Sequence, residues 1–278
     1  MPYPRRIVCL TEETTETLYL LGEQHRIVGI SGYTVRPPEA RRDKPKVSAF
    51  TSARIDRILA LRPDLALTFS DLQADIAADL IRGGVQVHAF NQRDVAGILA
   101  MIRVLGAMVG AGEAAGRLAD ALAARIEQVR DRTGHGPCPR VFFEEWDEPL
   151  ISGIGWVSEL IVIAGGEDCF AELAGQPLGR DRIVSPEAVR ERRPDIVIGS
   201  WCGKRFRPDR VAARPGWRAL PAIAGGHVHE IKSSLILQPG PAALTDGLAA
   251  IEAIIGQWRS ASGQSVGARA PSALGHVS

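Results

Sequence analysis

The sequence has few aromatic residues and few lysines. Aromatic side chains make up only 5% of the 278 residues. Lysine occurs four times among 33 basic residues, so 33 − 4 = 29 are arginine, and the 32 acidic residues leave a formal net charge of +1. A nucleic-acid-binding domain usually carries a strongly basic surface. The charge balance therefore argues against nucleic acid as a partner.

The cysteines are also few, and their spacing matches no metal or redox motif. Cys9, Cys138, Cys169 and Cys202 are separated by 129, 31 and 33 residues. Zinc ribbons and thioredoxin-like sites place two cysteines only a few residues apart. The sequence therefore predicts free thiols, with no metal site and no cofactor of the protein's own.

Long apolar runs are absent as well. No segment approaches the roughly 20 apolar residues of a membrane-spanning helix. The start, MPYPRRIVCL, has two arginines but no apolar run typical of a signal peptide. The sequence as given therefore predicts a cytoplasmic protein without a membrane span, and a periplasmic one if a leader has been lost.

What the sequence does contain is a weak internal duplication. Two Arg-Pro-Asp triplets, at 62–64 and 193–195, stand 131 residues apart. The pairs RRIVCL and PRVFFEE, and GGVQVHAF and GGHVHEI, recur in the same order. Proline disfavours a helical residue before it, so each triplet predicts a helix end followed by a strand. The expected helices and strands are 56–61 and 65–69 in the first half, and 187–192 and 196–198 in the second.

The segment between the halves has a helical pattern. Apolar residues at helical spacing, with Asp94 as N-cap, predict one helix, and residues 113–132 predict a second helix about 30 Å long. We therefore predict an α/β protein with two Rossmann-like lobes, parallel sheets and a long interdomain helix. The predicted parts are an N-terminal lobe at 1–93, a helical linker at 94–137, a C-terminal lobe at 138–260 and a disordered tail at 261–278.

Candidate ligand contacts lie where the predicted strands end, because parallel sheets bind ligands outside the carboxyl ends of their strands. Aromatic residues are enriched there despite their overall scarcity. They are Tyr33, Phe50, Phe69, Trp146, Trp156 and Trp201. Two facing lobes with aromatic rims suit a large, flat, partly apolar ligand. Packing in the core or at its rim is the alternative role for each of these residues.

A hypothesis of another class is a cytoplasmic enzyme or a metal-handling protein that reuses a bilobal fold. Its polar chemistry would come from Cys202 and Lys204 with Glu144 or Glu145. A thiolate nucleophile needs a base and an orienting group, and no Cys-His-Asp arrangement is evident. His227 and His229 share one face of a predicted strand, but two ligands do not complete a metal site. We therefore favour a protein that is not an enzyme.

Collinear segments across both halves resemble one family. The run RIVCLTEETTETLYLLGEQHRIVGISGY, followed by PKVSAF, RIDRILALRPDLAL and GGVQVHAF, resembles the first lobe of the helical-backbone metal-receptor type of ABC-transporter substrate-binding protein. VSELIVIAGGED, VSPEAVRERRPDIVI, PGWRALPAI and GGHVHEI resemble its second lobe. The resemblance covers about residues 5–258. Within this group the chain is most similar to cobalamin-binding proteins, and heme and ferric-siderophore binders share the framework.

The resemblance implies a monomeric receptor, class III periplasmic-binding-protein-like, that holds a cobalamin, another corrinoid or a related metal tetrapyrrole between its lobes. The metal would arrive with the ligand. The aromatic residues named above would bind it, with Cys202 and the histidines as optional axial contacts and Arg205 among the ligand-binding residues. A ferric siderophore would instead want several arginines, for which Arg36, Arg205 and Arg207 are the candidates. Residues 201–205 have no close counterpart in the family.

The resemblance also implies a partner. The family uses one acidic residue in each lobe to dock on arginines of an ABC permease. The matching residues here are Asp56 and Glu187, each seven residues before the proline of its Arg-Pro-Asp triplet. Two equivalent carboxylates would fit a two-fold symmetric permease. The alternative role is a favourable interaction with a helix dipole.

Overall fold

The first lobe is a five-stranded sheet between helices. The computed structural model describes residues 3–267. The sheet has the order β3-β2-β1-β4-β5, and every strand pair is parallel. Its strands are β1 (Ile7–Cys9), β2 (Ile27–Ser31), β3 (Lys46–Ser48), β4 (Leu65–Phe69) and β5 (Val87–Phe90). Its helices are α1 (Glu12–Leu20), α2 (Pro38–Asp43), α3 (Ile55–Ala60) and α4 (Ala74–Arg82). β1 and β4 are buried throughout, because helices cover both faces of the sheet.

Two packed helices follow the first lobe, α5 (Val95–Met108) and α6 (Gly112–Thr133). Asp94 caps α5, since its Oδ1 accepts the N–H of Gly97 at 2.6 Å. A Cβ at Gly106 would lie 2.1 Å from that of Ala115, so this glycine permits the close contact of the two helices. The 22 residues of α6 span about 33 Å. The predicted N-cap and the two-helix pattern are confirmed.

The second lobe is also a sheet with parallel central strands and helices, but its sheet includes an antiparallel strand. Its sheet has the order β10-β9-β6-β7, and β8 pairs with the start of β6. Its strands are β6 (Arg140–Asp147), β7 (Leu150–Ser152), β8 (Glu167–Asp168), β9 (Ile196–Gly199) and β10 (Val228–Glu230). Its helices are α7 (Gly155–Ile163), α8 (Pro186–Arg192), α9 (Pro208–Ala212), α10 (Pro221–Ala224), α11 (Ser233–Ile236) and α12 (Leu248–Gly267). β7 is antiparallel to β6 and is too short to leave a pattern in the sequence. The prediction of two α/β lobes with parallel central strands is confirmed.

The two Arg-Pro-Asp triplets adopt the same backbone conformation. Arg62 and Arg193 both have φ 48°, in the left-handed region. Helix α3 ends at Ala60, one residue short of the first triplet, and α8 ends at Arg192, directly before the second. β4 and β9 begin directly after the triplets. The predicted change from helix to strand is confirmed in both lobes.

The aspartate of each triplet ties it to the first strand of its own lobe. Asp64 Oδ1 accepts the backbone N–H of Arg6 at 2.9 Å, and Asp195 Oδ2 accepts that of Arg140 at 2.9 Å. Both bonds lie at the amino ends of the strands. The triplets are therefore structural and lie far from the sheet edge where ligands bind.

One buried core connects the two lobes. It includes Leu67 of β4 and Ile198 of β9, together with Ile102 of α5 and Ile126 of α6. Helix α5 contacts α1 in the first lobe, and α6 contacts α7 in the second. Apolar burial therefore holds the lobes to the connecting helices, which stiffens the molecule.

The described chain ends in α12, which extends to Gly267 and so into the segment 261–278 that the sequence predicts as disordered. Residues 268–278 lie outside the described residues. Between residues 3 and 267, no helix is both long enough and apolar enough to cross a membrane.

Candidate functional site

A cleft between the lobes lies at the carboxyl ends of the central strands. It contains a cavity of about 360 Å³. The first lobe reaches this cavity with α1 and with the segments at the ends of β3, β4 and β5. The second lobe reaches it with β6, the start of α7, the loop after β9 and residues 237–239. The cavity therefore lies at the edge where parallel sheets place ligands.

Three of the candidate aromatic residues line this cavity together: Phe50, Phe69 and Trp156. Trp156 is 3% exposed, and its Nε1 donates to the carbonyl of Ile236 at 2.8 Å, which fixes the orientation of the indole ring. The guanidinium carbon of Arg93 lies 4.9 Å from the centre of the Phe69 ring. This part of the wall is therefore aromatic and apolar, with a cation at its edge.

A smaller cavity of about 170 Å³ continues the cleft. Phe50, Cys202 and Gln238 line both cavities, so they mark the boundary between them. Tyr33 lines the smaller cavity and is 55% exposed. Four of the six candidate aromatic residues, together with Cys202, therefore line one cleft.

The other two candidate aromatic residues lie outside both cavities. Trp201 is 4% exposed in the core of the second lobe, where its Nε1 donates to Glu144 Oε1 at 3.0 Å. Side chains alternate along a strand, so Trp201, four residues after Val197, lies on the same side of the chain, and both side chains pack in this core. Trp146 is half-buried and donates to the carbonyl of Glu148 at 3.0 Å. The structure thus places both tryptophans in second-lobe packing rather than in the cleft.

The polar residues of the enzyme hypothesis are held in separate ion pairs. The carboxylate of Glu144 is fully buried and lies 2.6 and 2.7 Å from the guanidinium nitrogens of Arg214. Lys204 lies 2.7 Å from both oxygens of Asp147. Burial raises the pKa of the Cys202 thiol, which favours its neutral form over the nucleophilic thiolate. These contacts support the loop after β9 and do not activate its cysteine.

The three candidate arginines for an anionic ligand do not converge. Arg36 lies 3.0 Å from Glu16 and 2.9 Å from Asp246. Arg207 lies 2.8 Å from Asp209 on the surface. Arg205 is exposed and lines neither of the two cleft cavities.

Different arginines reach the larger cavity, and sequence reasoning misses them. Arg93, Arg180 and Arg182 line it. Arg182 is buried and lies 2.7 Å from Glu145, so its charge is compensated within the wall. Arg93 donates to the side chain of Asn91 at 3.0 Å. Arg93 lies between β5 and α5, and Arg180 and Arg182 lie in a short 3-10 helix (Gly179–Arg182), so no periodic pattern singles them out.

Two buried glutamates at the start of α1 are also missed. Glu13 lines the larger cavity and Glu12 the smaller one. Burial raises the pKa of Glu12 to about 8 and that of Glu13 to about 7. The strand-end rule does point to residues 11–15, but it does not distinguish buried carboxyl groups from solvated ones. Two adjacent acidic residues directly after a buried strand are the signal that could have found them.

Asp56 and Glu187, the candidate docking residues, lie at equivalent places. Each is exposed in the first turn of a short helix, α3 or α8, that leads into an Arg-Pro-Asp triplet. Glu187 lies 3.3 Å from Arg190. Both helices begin at the carboxyl edge of their sheets, so the two carboxylates belong to the same side of the lobes as the cleft.

The histidine pair forms no metal site. The rings of His227 and His229 have their centres 6.2 Å apart, and burial lowers the pKa of His229. Within residues 3–267, no three His, Cys, Asp or Glu side chains come together as metal ligands.

A comparison with known families matches most of the chain. A family model described as "Periplasmic binding protein" matches residues 7–235. The chain is 25% identical over 239 residues to the Vitamin B12-binding protein of Vibrio campbellii, and this alignment covers 84% of each chain. The resemblance seen in the sequence is confirmed.

Solved structures share the fold over both lobes. The periplasmic vitamin B12 binding protein BtuF of Vibrio cholerae superposes with a TM-score of 0.74 at 22% identity, covering 93% of this chain and 99% of that one. The apo form of the periplasmic heme-binding protein RhuT from Roseiflexus sp. RS-1 gives a TM-score of 0.75 at 25% identity, covering 90% and 98%. The bilobal α/β fold is therefore common to proteins named for different ligands.

Proposed function

Because the chain belongs to the periplasmic binding protein family, we propose that it is a substrate-binding protein that holds a cobalamin or another corrinoid between its lobes. The observation that carries this proposal is the wall of Phe50, Phe69 and Trp156, to which both lobes contribute. Flat, partly apolar rings bind such walls by stacking and by apolar burial. Neither lobe encloses the cavity alone, so the ligand would hold the lobes together.

The volume of the cleft indicates how the ligand would lie. The two cavities, about 360 and about 170 Å³, are at or below the low end of the roughly 300–1,000 Å³ of ligand pockets. A tetrapyrrole ring would therefore lie along the aromatic wall with part of its periphery at the cleft mouth. Tyr33 is accessible there and would contact that periphery. Cys202, on the boundary of the two cavities, would be the nearest thiol to a bound metal.

The proposed activity is binding rather than catalysis. The relatives named above are binding proteins. In this chain, Glu144 and Lys204 are ion-paired away from Cys202, so the polar groups of the enzyme hypothesis do not form a unit. A Cys202→Ser variant should accordingly keep its ligand affinity within about threefold, whereas a thiol enzyme would lose nearly all activity.

Heme is a second candidate, and the arginines of the larger cavity favour it. Arg93 and Arg180 line this cavity, and guanidinium groups pair with carboxylates such as the two that heme carries. A ferric siderophore has less support, because Arg36 and Arg207 are paired elsewhere.

The proposed partner is an ABC permease, in keeping with the family. Asp56 and Glu187 would dock on it, one from each lobe, as two equivalent carboxylates facing a two-fold symmetric receptor. The proposed location is the periplasm, and the proposed state of the free receptor is a monomer.

The test is titration of the purified protein with cyanocobalamin, hemin and a ferric hydroxamate in separate experiments. Binding should change the absorption spectrum of the ligand and quench tryptophan fluorescence. Trp156→Phe should remove a large part of the quenching, because this indole lines the cavity. Trp146→Phe is the matched control, because that indole lies outside the cleft, and it should retain the quenching. Spectra and fluorescence unchanged by all three ligands would overturn the proposal.

A further inference from the structure

The first lobe presents two buried carboxyl groups to the cleft at the start of α1. Glu12 is 4% exposed and lines the smaller cavity, and Glu13 is 1% exposed and lines the larger one. The Oε1 atom of each has no hydrogen-bond partner among the described residues. A buried polar atom without a partner costs free energy, so native proteins seldom keep one unless a ligand or water satisfies it.

The helix dipole does not explain these residues. Acidic side chains in a first helical turn stabilise the positive end of the helix, and they do so from the surface. Glu39, in the first turn of α2, is such a residue and is exposed. Glu12 and Glu13 are instead enclosed by Tyr33, Phe50 and the second lobe.

The charged groups around the pair do not neutralise it. Glu16, one helical turn on, is bound by Arg36 at 3.0 Å and by the backbone N–H of Ala242 at 3.1 Å. Arg36 also pairs with Asp246, so its charge is already shared by two carboxylates. From the second lobe, Cys202 lines both cavities, and burial raises the pKa of its thiol. Glu145, Arg180 and Arg182 line the larger cavity with Glu13, and Arg182 is paired with Glu145 at 2.7 Å.

We propose that Glu12 and Glu13 bind neutral amide or hydroxyl groups on the periphery of the ligand, and that the cleft thereby selects a tetrapyrrole bearing amides over one bearing carboxylates. This inference rests on the proposed function. A protonated carboxyl group offers one O–H donor and one free acceptor oxygen, which is the complement of a primary amide. A ligand carboxylate beside Glu12 in the smaller cavity would meet an acidic group, because Arg93 and Arg180 line only the larger of the two cavities.

The state of the two groups at neutral pH agrees with this role. Burial raises the pKa of Glu12 to about 8 although backbone N–H groups of Val35 and Arg36 lower it, and it raises that of Glu13 to about 7 although Thr11 lowers it. Glu12 is thus mostly protonated at pH 7. The other titratable groups near the pair are Tyr33, Cys202, Glu16 and Arg36, with Arg93, Glu145, Arg180 and Arg182 around the larger cavity.

The experiment measures the affinity of wild type and of Glu12→Ala, Glu12→Gln, Glu13→Ala and Glu13→Gln for cyanocobalamin, whose periphery carries primary amides, and for hemin, which carries carboxylates. Each alanine variant should bind cyanocobalamin about tenfold more weakly, because a hydrogen bond in the cleft is lost. Each glutamine variant should stay within about threefold of wild type, because glutamine keeps a donor and an acceptor. Glu39→Ala is the matched control and should bind as wild type does.

The pH dependence of the affinity is a second readout, which tests the inference even if the alanine variants do not fold. Wild-type affinity for cyanocobalamin should fall as the pH rises from 6 to 9, because deprotonation removes the donors, and it should fall less in the glutamine variants. Folded alanine variants with wild-type affinity, or identical pH profiles for wild type and the glutamine variants, would overturn the inference alone. Wild-type protein that binds hemin but not cyanocobalamin would also overturn it while the tetrapyrrole-binding function stands. Binding of neither probe would overturn both.

Discussion

The two lobes carry the same acidic dipeptide near the carboxyl end of their first strand, and the two copies have opposite surroundings. Glu12-Glu13 follows β1, and Glu144-Glu145 lies within β6. In the second lobe an arginine pairs with each carboxylate. In the first lobe neither glutamate forms an ion pair with any described residue, and one oxygen of each has no partner. The same residue type at a similar place is thus part of the scaffold in one lobe and available to a ligand in the other.

The difference shows what decides the role of a buried carboxyl group. Where a guanidinium lies within 3 Å, as Arg214 does from Glu144, the charge is compensated and the pair is structural. Burial raises the pKa of Glu144 as well, although Arg214 lowers it, whereas at Glu12 and Glu13 no ion pair opposes the desolvation. The lobes therefore differ in the partner supplied by the fold and not in the acidic residues themselves.

The largest effect is expected from breaking the second-lobe pair. Glu144→Gln leaves Arg214 without its counter-charge and should lower the free energy of unfolding by about 3 kcal/mol. Urea denaturation measures this loss. Glu187→Gln, an exposed residue of the same lobe, is the control and should change stability by less than about 0.5 kcal/mol. Equal losses in the two variants would contradict the assignment of Glu144 as a structural ion.

The first-lobe pair, Glu12 and Glu13, should make the stability of the protein depend on pH. Because folding raises the pKa of Glu12 from 4.5 to about 8 and that of Glu13 to about 7, the folded state binds more protons than the unfolded state in this range. The stability from the protonated acids is full below pH 4.5 and is lost as the pH rises through 7 and 8.

Replacing either glutamate with glutamine removes the group whose deprotonation lowers the stability at high pH. Glu12→Gln or Glu13→Gln should therefore be more stable than wild type at pH 8 by about 2 kcal/mol, and close to it at pH 5. Thermal denaturation at pH 5, 6.5 and 8 measures the difference, with Glu39→Gln as the surface control. A wild-type melting temperature that rises between pH 5 and pH 8 as much as that of the variants would refute the assignment.

A smaller effect is expected where the lobes are equivalent. Asp64→Ala and Asp195→Ala each remove the acceptor for a backbone N–H at the start of the first strand, and each should cost about 1 kcal/mol of stability. Asp64 also accepts the backbone N–H of Arg5 at 2.7 Å, and Asp195 lies 3.2 Å from the side chain of Arg140, so the two losses should be similar. The measurement is urea denaturation. Losses that differ by more than about 1 kcal/mol would show that the triplets are not equivalent.

The smallest effect on the isolated protein is expected from the docking residues. Asp56→Ala and Glu187→Ala should change stability by less than about 0.5 kcal/mol and leave ligand affinity as in wild type, because both side chains are exposed and outside the cleft. Under the proposed function, each should weaken stimulation of permease ATPase activity. Unchanged stimulation by the double variant would remove these residues from the proposed interface.

Much of the fold was predictable because its signals are local. The Arg-Pro-Asp triplets end helices in both lobes, and Asp94 caps α5, since proline sterics and N-capping act within a few residues. The cleft was less predictable. The strand-end rule places Phe69 and Trp156 in it, but the same rule includes Trp201, whose face depends on which side of β9 the second-lobe core covers.

The sequence by itself determined the two-lobed α/β architecture, its helical connection and the family. Turns, helix caps and hydrophobic periodicity depend on residues that are close together in the sequence. Only the tertiary structure decided which acidic and aromatic side chains reach a ligand. Arg214 is 70 residues from Glu144, and among the described residues no arginine forms an ion pair with Glu12 or Glu13. The charge state of a buried group depends on such distant partners and on lost water, and neither can be read from its neighbours in the chain.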